Sequence, residues 1–130
     1  MEIACGTMNK LLVAGSRDIS LARDSLWHVF DNLSYTFDVP FTSVIQGGAR
    51  GVDTEAQVWA TSKGYQGLTV LADWDRLGRS AGYVRNADMV VICTHAIIVW
   101  DGVSKGTKHT MDLLATAQIP HAIRIQYETN

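Results

Sequence analysis

Short unbroken apolar runs alternate along this chain with segments whose apolar residues recur every three or four positions. The runs are Lys10 to Ala14, Ser43 to Gln46, Leu68 to Ala72, Ala96 to Trp100 and Ala122 to Ile125, each bounded by Gly, Asp or Pro. Runs of this length between such breakers predict strands buried on both faces. Between them Leu26, Val29, Phe30 and Leu33 fall at helical spacing, as do Val52, Ala56, Trp59 and Lys63, and again Met111, Leu114, Ala115 and Gln118. The stretch from about Gly82 to Thr94 supplies the remaining helix. Strands alternating with helices predict an α/β fold: a Rossmann-like three-layer sandwich on a mainly parallel five-stranded sheet with right-handed crossovers.

The residues with chemistry to offer gather where the strands end. Gly15-Ser16-Arg17-Asp18 follows the first strand, Gly47-Gly48-Ala49-Arg50-Gly51-Val52-Asp53 the second, Asp73-Trp74 the third and Asp101-Gly102 the fourth. Open parallel sheets bind ligands at these carboxyl ends, because helix N-termini and their free amides converge there. Seven of the eleven basic residues, Arg17, Arg50, Arg76, Arg79, Arg85, Lys105 and Lys108, lie in these connections. Those at the opposite end, Ser34 to Thr42, Gly64 to Gly67 and Gln118 to Pro120, contain none.

Composition narrows the classes. With 130 residues, 47% hydrophobic and 18% charged, the chain suits a single domain, residues 8–130, behind a short extension over residues 1–7. Met8 stands immediately before the first strand and offers a second start beside Met1. A net charge of -2 provides no global field for a nucleic acid backbone or an anionic membrane, so nucleic acid is not the expected partner. The most apolar stretch, Ala87 to Trp100, contains Asp88 and His95 and is too short to span a bilayer. Two distant cysteines, Cys5 and Cys93, read as reduced thiols of a cytoplasmic protein. His28, His95, His109 and His121 have no metal-ligand spacing, so neither a metal nor a cofactor is expected.

The loop Gly47 to Asp53 places three glycines between a strand and a helix, letting backbone amides approach a phosphate, with Asp53 in the first helical turn placed to tie down the loop. It matches neither the dinucleotide fingerprint nor a Walker A loop, and a plain strand-to-helix turn explains the glycines equally well. A second glycine cluster, Asp101-Gly102-Val103-Ser104-Lys105-Gly106-Thr107, opens the last helix with Ser104 as its N-cap. The connection from Asp73 to Asn86, with Trp74, Arg76, Arg79 and Arg85, is long for a compact domain and so reads as functional, Arg85 and Asn86 clamping a phosphate or ribose. Trp100 reads as a core or rim residue rather than a stacking platform.

These motifs, together with Gly78-Arg79-Ser80-Ala81-Gly82, Arg85-Asn86-Ala87-Asp88-Met89 and Trp100-Asp101-Gly102 to His109, resemble the YspA-like, cpYpsA-related branch of the SLOG superfamily from Met8 to about Ile125. The resemblance implies a Rossmann-like domain, common among phages and mobile elements, binding a nucleoside phosphate or an NAD- or ADP-ribose-like molecule as a sensor or sequestering module. It implies a homodimer or higher homo-oligomer. The implied ligand site comprises Gly15, Ser16, Arg17, Asp18, Gly47, Gly48, Ala49, Arg50, Gly51, Asp53, Asp73, Trp74, Arg79, Arg85, Asn86, Asp101, Gly102, Ser104, Lys105, Gly106 and Thr107.

Two relatives define alternatives. The Lonely guy phosphoribohydrolases cut a nucleotide N-glycosidic bond with an Arg and with the Glu of Gly-Gly-x-Gly-Thr-x-x-Glu. Arg85 matches that arginine and is the catalytic candidate the resemblance supplies, Gly106-Thr107 matches the Gly-Thr, and Thr110 stands in place of the Glu, leaving Asp18, Asp73 and Asp101 as the carboxylates that location offers. A hydroxyl lacks the negative charge that stabilises an oxocarbenium-like transition state, and Asp112 lies on a different helical face. DprA, whose glycine loop is similar, implies a single-strand DNA binder, against which stands the absence of a long basic, aromatic-lined track.

Overall fold

The computed structural model describes residues 8–127; the expected extension over residues 1–7, including Cys5, lies outside the described residues. Five strands, β1 (Lys10–Gly15), β2 (Ser43–Gln46), β3 (Gln66–Thr69), β4 (His95–Trp100) and β5 (His121–Ile125), form an all-parallel sheet in the order β3-β2-β1-β4-β5. Helices α1 (Arg23–Tyr35) and α2 (Val52–Lys63) cover one face, α4 (Ala81–Ile92) and α5 (Lys105–Thr116) the other, and a one-turn helix α3 (Trp74–Leu77) with a 3₁₀ turn (Gly78–Ser80) precedes α4.

The period of two along β1 and β4 builds both cores. Leu11, Val13, Ile97 and Val99 pack against Leu26, Phe30, Val52, Ala56 and Trp59, while Leu12, Ala14, Ala96 and Ile98 pack against Met89, Val90 and Leu114. Both faces of these strands are therefore dry, which is why the segments read as unbroken apolar runs. Burying each Leu or Ile contributes about 1.5–3 kcal/mol. Trp59, buried under α1, donates its indole N–H to Asp31 at 3.0 Å and so carries no unsatisfied group into the core.

Three expectations are corrected. The third strand is Gln66–Thr69, not Leu68 to Ala72, because its partner β2 is only four residues long and the paired register ends at Gln46 with Thr69. The stretch from Asp73 to Ser80 is not an open loop, since it holds α3 and the 3₁₀ turn, while the helix expected from about Gly82 begins at Ala81 and carries Arg85 and Asn86. The last helix ends at Thr116, and Gln118 takes a left-handed φ of 58° in the turn before β5.

The chain winds outward from β1 through β2 to β3, then returns to place β4 on the other side of β1. That reversal leaves a crevice beyond the carboxyl ends of β1 and β4, where such sheets hold ligands.

Candidate functional site

A cavity of about 370 Å³ opens at this reversal, walled by Gly15, Arg17 and Asp18 after β1, Ala49 and Asp53 before and in α2, Arg85, Asn86 and Met89 on α4, and Asp101, Ser104, Gly106, Thr107 and Thr110 around the start of α5. Two smaller hollows adjoin it. One, about 340 Å³, is lined by Arg17, Gly47, Gly48, Ala49, Arg50, Leu71, Ala72, Trp74 and Arg85. The other, about 190 Å³, lies among Arg17, Trp74, Arg79, Gly82, Tyr83, Arg85, Asn86 and Gly106. Arg17 and Arg85 wall all three.

Close approaches fix this shape. A Cβ on Gly15 would stand 2.5 Å from the Val99 carbonyl oxygen and 2.7 Å from Val52, so only glycine lets the start of α2 pack onto the end of β1. Gly51 has φ of 80°, and a Cβ there would lie 2.5 Å from the Arg17 carbonyl. The two loops thus interlock through backbone.

Asp53 is buried and accepts hydrogen bonds from the amides of Gly47 at 3.0 Å and Ala49 at 3.4 Å, holding the glycine loop as the sequence suggested. Burial pushes its carboxyl up to about 6, against the opposing pull of the Ala49 amide, the Arg85 charge and the Gly47 amide. Arg85 donates to the Gly47 carbonyl at 2.6 Å and to the Asn86 side chain at 3.1 Å; burial pushes its guanidinium below its ordinary value, an effect the Asp53 charge opposes. Asn86 in turn donates to the Gly106 carbonyl at 3.3 Å, linking α4 to α5. Ser104 holds the N-cap position of the last helix but makes no side-chain capping bond; Asp101 Oδ1 instead ties down the loop before it, accepting from the amides of Val103 at 2.9 Å and Ser104 at 2.7 Å. Burial pushes the Asp101 carboxyl up, but those amides outweigh it and hold the group below its ordinary value. Asp18 pairs with Arg50 at 2.9 Å on the exposed rim.

Five residues expected in the site stand elsewhere. Ser16 is buried behind it and accepts from the Asp101 amide, Gly51 serves the loop, and Gly102 turns the chain at φ of 89°. Asp73 caps α3 by accepting from the Arg76 amide at 3.3 Å, and Lys105 points into a separate groove. Gly82 and Met89, already part of the quoted motifs, also line these walls, while Ala14, Leu71 and Tyr83 do so without having been singled out. Nothing but their position beside the motifs marks these apolar residues in the sequence. Thr110 does occupy the cavity wall, with its hydroxyl donating back to the Gly106 carbonyl at 3.3 Å, and Asp112 faces away, paired with Lys108 at 2.6 Å. Trp100 sits on the rim, its indole N–H bonded to the Ser104 carbonyl at 3.0 Å. Among the described residues no group of three or more His, Cys, Asp or Glu converges as metal ligands, and no helix is long and apolar enough to cross a membrane.

Comparison with solved structures gives the fold of DNA processing protein A. The protein from Helicobacter pylori, described for its single-stranded DNA binding mode, superposes with a TM-score of 0.63 at 18% identity over 91% of this chain and 66% of that one. The Streptococcus pneumoniae protein superposes with a TM-score of 0.55 at 16% identity over 95% of this chain and 63% of that one. The chain thus spans about two thirds of the length of each, and at these identities the likeness is one of fold. It overturns the expectation that set nucleic acid aside, since the Helicobacter protein, which shares this fold, is described as binding single-stranded DNA. The physical error lay in using net charge, which sums over the molecule, for a field that seven basic residues concentrate at one end of the sheet. In sequence, the Gene 61 protein of Mycobacterium phage D29 is 32% identical over 119 residues, 87% of this chain and 94% of that protein. Residues 9–77 match the YspA, cpYpsA-related SLOG family, and to that family this chain belongs.

Proposed function

We propose that the cavity at the sheet reversal binds the phosphate of a nucleotide-derived molecule, such as a nucleoside phosphate or an ADP-ribose-like compound. One observation carries the reading: arginines and unpaired helix amides converge on a cavity whose carboxylates are all engaged. Arg17 makes no hydrogen bond or ion pair among the described residues, and the first amides of α5, at Lys105, Gly106 and Thr107, have no partner within the helix. Against them, Asp18 is paired, and Asp53 and Asp101 are spent on loop amides. The cavity presents donors and positive charge, the chemistry of an anion site. Trp74, about half exposed over Gly82, offers a face for a base. Thr110 and the engaged carboxylates leave no free acid beside the bound sugar, which favours holding over cutting.

Calorimetric titration with AMP and ADP-ribose tests this. Saturable binding, weakened about tenfold or more by Arg17→Ala through loss of a charge-assisted bond, is expected. Binding that Arg17→Ala leaves intact contradicts the reading, as does none at all.

A second reading, a single-stranded DNA site, is supported by the two fold neighbours and by the open hollows that carry Arg50, Trp74 and Arg79 out from the cavity. Oligonucleotide affinity that falls steeply with salt would select it. Salt-independent or absent oligonucleotide binding would select the small molecule.

A further inference from the structure

On the far side of the α5 N-terminus lies a groove of about 450 Å³ that shares only Tyr83 with the walls of the site described so far. Its walls are Tyr83 from α4, Trp100 and Val103 from the end of β4 and its loop, and Lys105, Lys108, His109 and Asp112 from α5, the carboxylate of Asp112 being paired with Lys108. Val103 is 79% exposed and Tyr83 47% exposed, so apolar and aromatic surface faces water here. The walls are preset. Tyr83 and His109 meet edge to face with centroids 4.6 Å apart, the Asn86 amide lies 3.3 Å from His109 Nδ1, and the Trp100 indole is pinned to the Ser104 carbonyl. A planar ring entering this groove would find its aromatic partners already ordered.

The groove also connects with the phosphate cavity. Tyr83 is a wall of both the groove and the 190 Å³ hollow, and that hollow shares Asn86 and Gly106 with the main cavity. A Cβ on Gly106 would meet nothing within 4 Å, so the crossing over the start of α5 is open. Lys105 stands at the crossing without an ion pair among the described residues, whereas Lys108 is held by Asp112. Aromatic surface therefore lies on both sides of a cationic, amide-lined gap, with Trp74 on one side and Tyr83, Trp100 and His109 on the other.

Resting on the phosphate reading above, we infer that this site takes a ligand with two nucleobases bridged by phosphate, the second base lying in the groove of Tyr83, Trp100, Val103 and His109. A free dinucleotide and two successive units of a nucleic acid strand share this chemistry. In both, the phosphates bind Arg17 and the α5 amides, Lys105 neutralises the bridge, and the second ring stacks in the groove.

The test compares AMP, diadenosine diphosphate, pdApdA and a ten-residue oligo(dA) by calorimetry on the whole protein. The two-base ligands should bind about tenfold or more tighter than AMP, as stacking of an added base contributes. That gain should disappear in Val103→Glu, an exposed position lining the groove alone, where a carboxylate repels phosphate without touching the core, while AMP binding persists. A gain reached in full by diadenosine diphosphate identifies a free dinucleotide; one that appears with pdApdA and grows with strand length identifies a strand. AMP binding with no gain for any two-base ligand overturns the inference and leaves the phosphate site standing, and so does a gain that survives Val103→Glu. Failure of every ligand overturns the phosphate reading and this inference together.

Discussion

Asp53 accepts two loop amides from a position nearly sealed from water, and the cost of that burial makes it a pH-dependent group. Its carboxyl titrates near 6 in the folded chain, above its ordinary value of 3.8, so the native state holds a proton that the unfolded state has lost between those values. Its contribution to stability is largest in acid and falls as pH rises through about 6, by roughly 1.4 kcal/mol per unit of difference. Asp53→Asn, which keeps an acceptor for the amides and removes the charge, should gain on the natural protein in urea denaturation at pH 7.5 relative to pH 4.5. An unchanged difference between the two pH values would show that the carboxylate is not strained by burial. Arg85 also has two duties. Because it ties α4 to the Gly47 carbonyl, Arg85→Ala should cost stability, about 1–3 kcal/mol, as well as affinity, whereas exposed Arg17→Ala should cost affinity alone. Equal melting temperatures for the two variants would refute that division. At Thr110 the hydroxyl is turned back onto its own helix, so base release from AMP should be very slow, and Thr110→Glu should accelerate it if a carboxylate there reaches the sugar. Fast release by the natural protein, followed chromatographically, would place the chemistry on another acid.

At the level of elements, the strands buried on both faces and the edge strand β5 were legible, and the edge strand β3 was not. β1 and β4 bury every interior side chain, so their composition gives them away; β3 has only one partner and mostly exposed residues, so its extent is set by where β2 stops. The stretch from Asp73 to Ser80 misled for a related reason. Its charged and glycine residues look like loop chemistry, yet Asp73 caps a helical turn ahead of α4, which Ala81, Met89 and Val90 anchor on the sheet. The glycine loop was legible because its residue types answer to backbone geometry: Gly51 is required by its φ, and Asp53 by the amides it collects. The aromatic walls were hidden, since Tyr83 and His109 come from different helices and only the packing of α4 on α5 brings them together. Two glycines should consequently behave in opposite ways. Gly51→Ala, strained in φ and crowded by the Arg17 carbonyl, should lower stability by about 1–3 kcal/mol, while Gly106→Ala, in the first turn of α5 with open space around it, should leave stability unchanged or raise it by up to about 1 kcal/mol. Similar urea midpoints for the two variants would contradict this.

Across the whole molecule, the winding of the chain places function. Two helical layers bury both faces of a parallel sheet, and the return of the chain from β3 to β4 opens a crevice at the carboxyl ends of the strands, where glycine loops, helix amides and basic side chains converge. The opposite end has a hollow of similar size, about 360 Å³ among Ser34, Tyr35, Asp38, Val39, Pro40, Phe41 and Tyr65, with no basic residue. Volume therefore does not distinguish the two ends, but charge and free amides do. This contrast makes one measurement decisive: backbone amide shifts in NMR spectra of the labelled protein titrated with AMP. Perturbations should centre on Gly15 to Asp18, Gly47 to Gly51 and Lys105 to Thr107, leaving Ser34 to Phe41 and Tyr65 unmoved. Perturbations centred on Ser34 to Phe41 and Tyr65 instead would contradict a phosphate site at the sheet reversal.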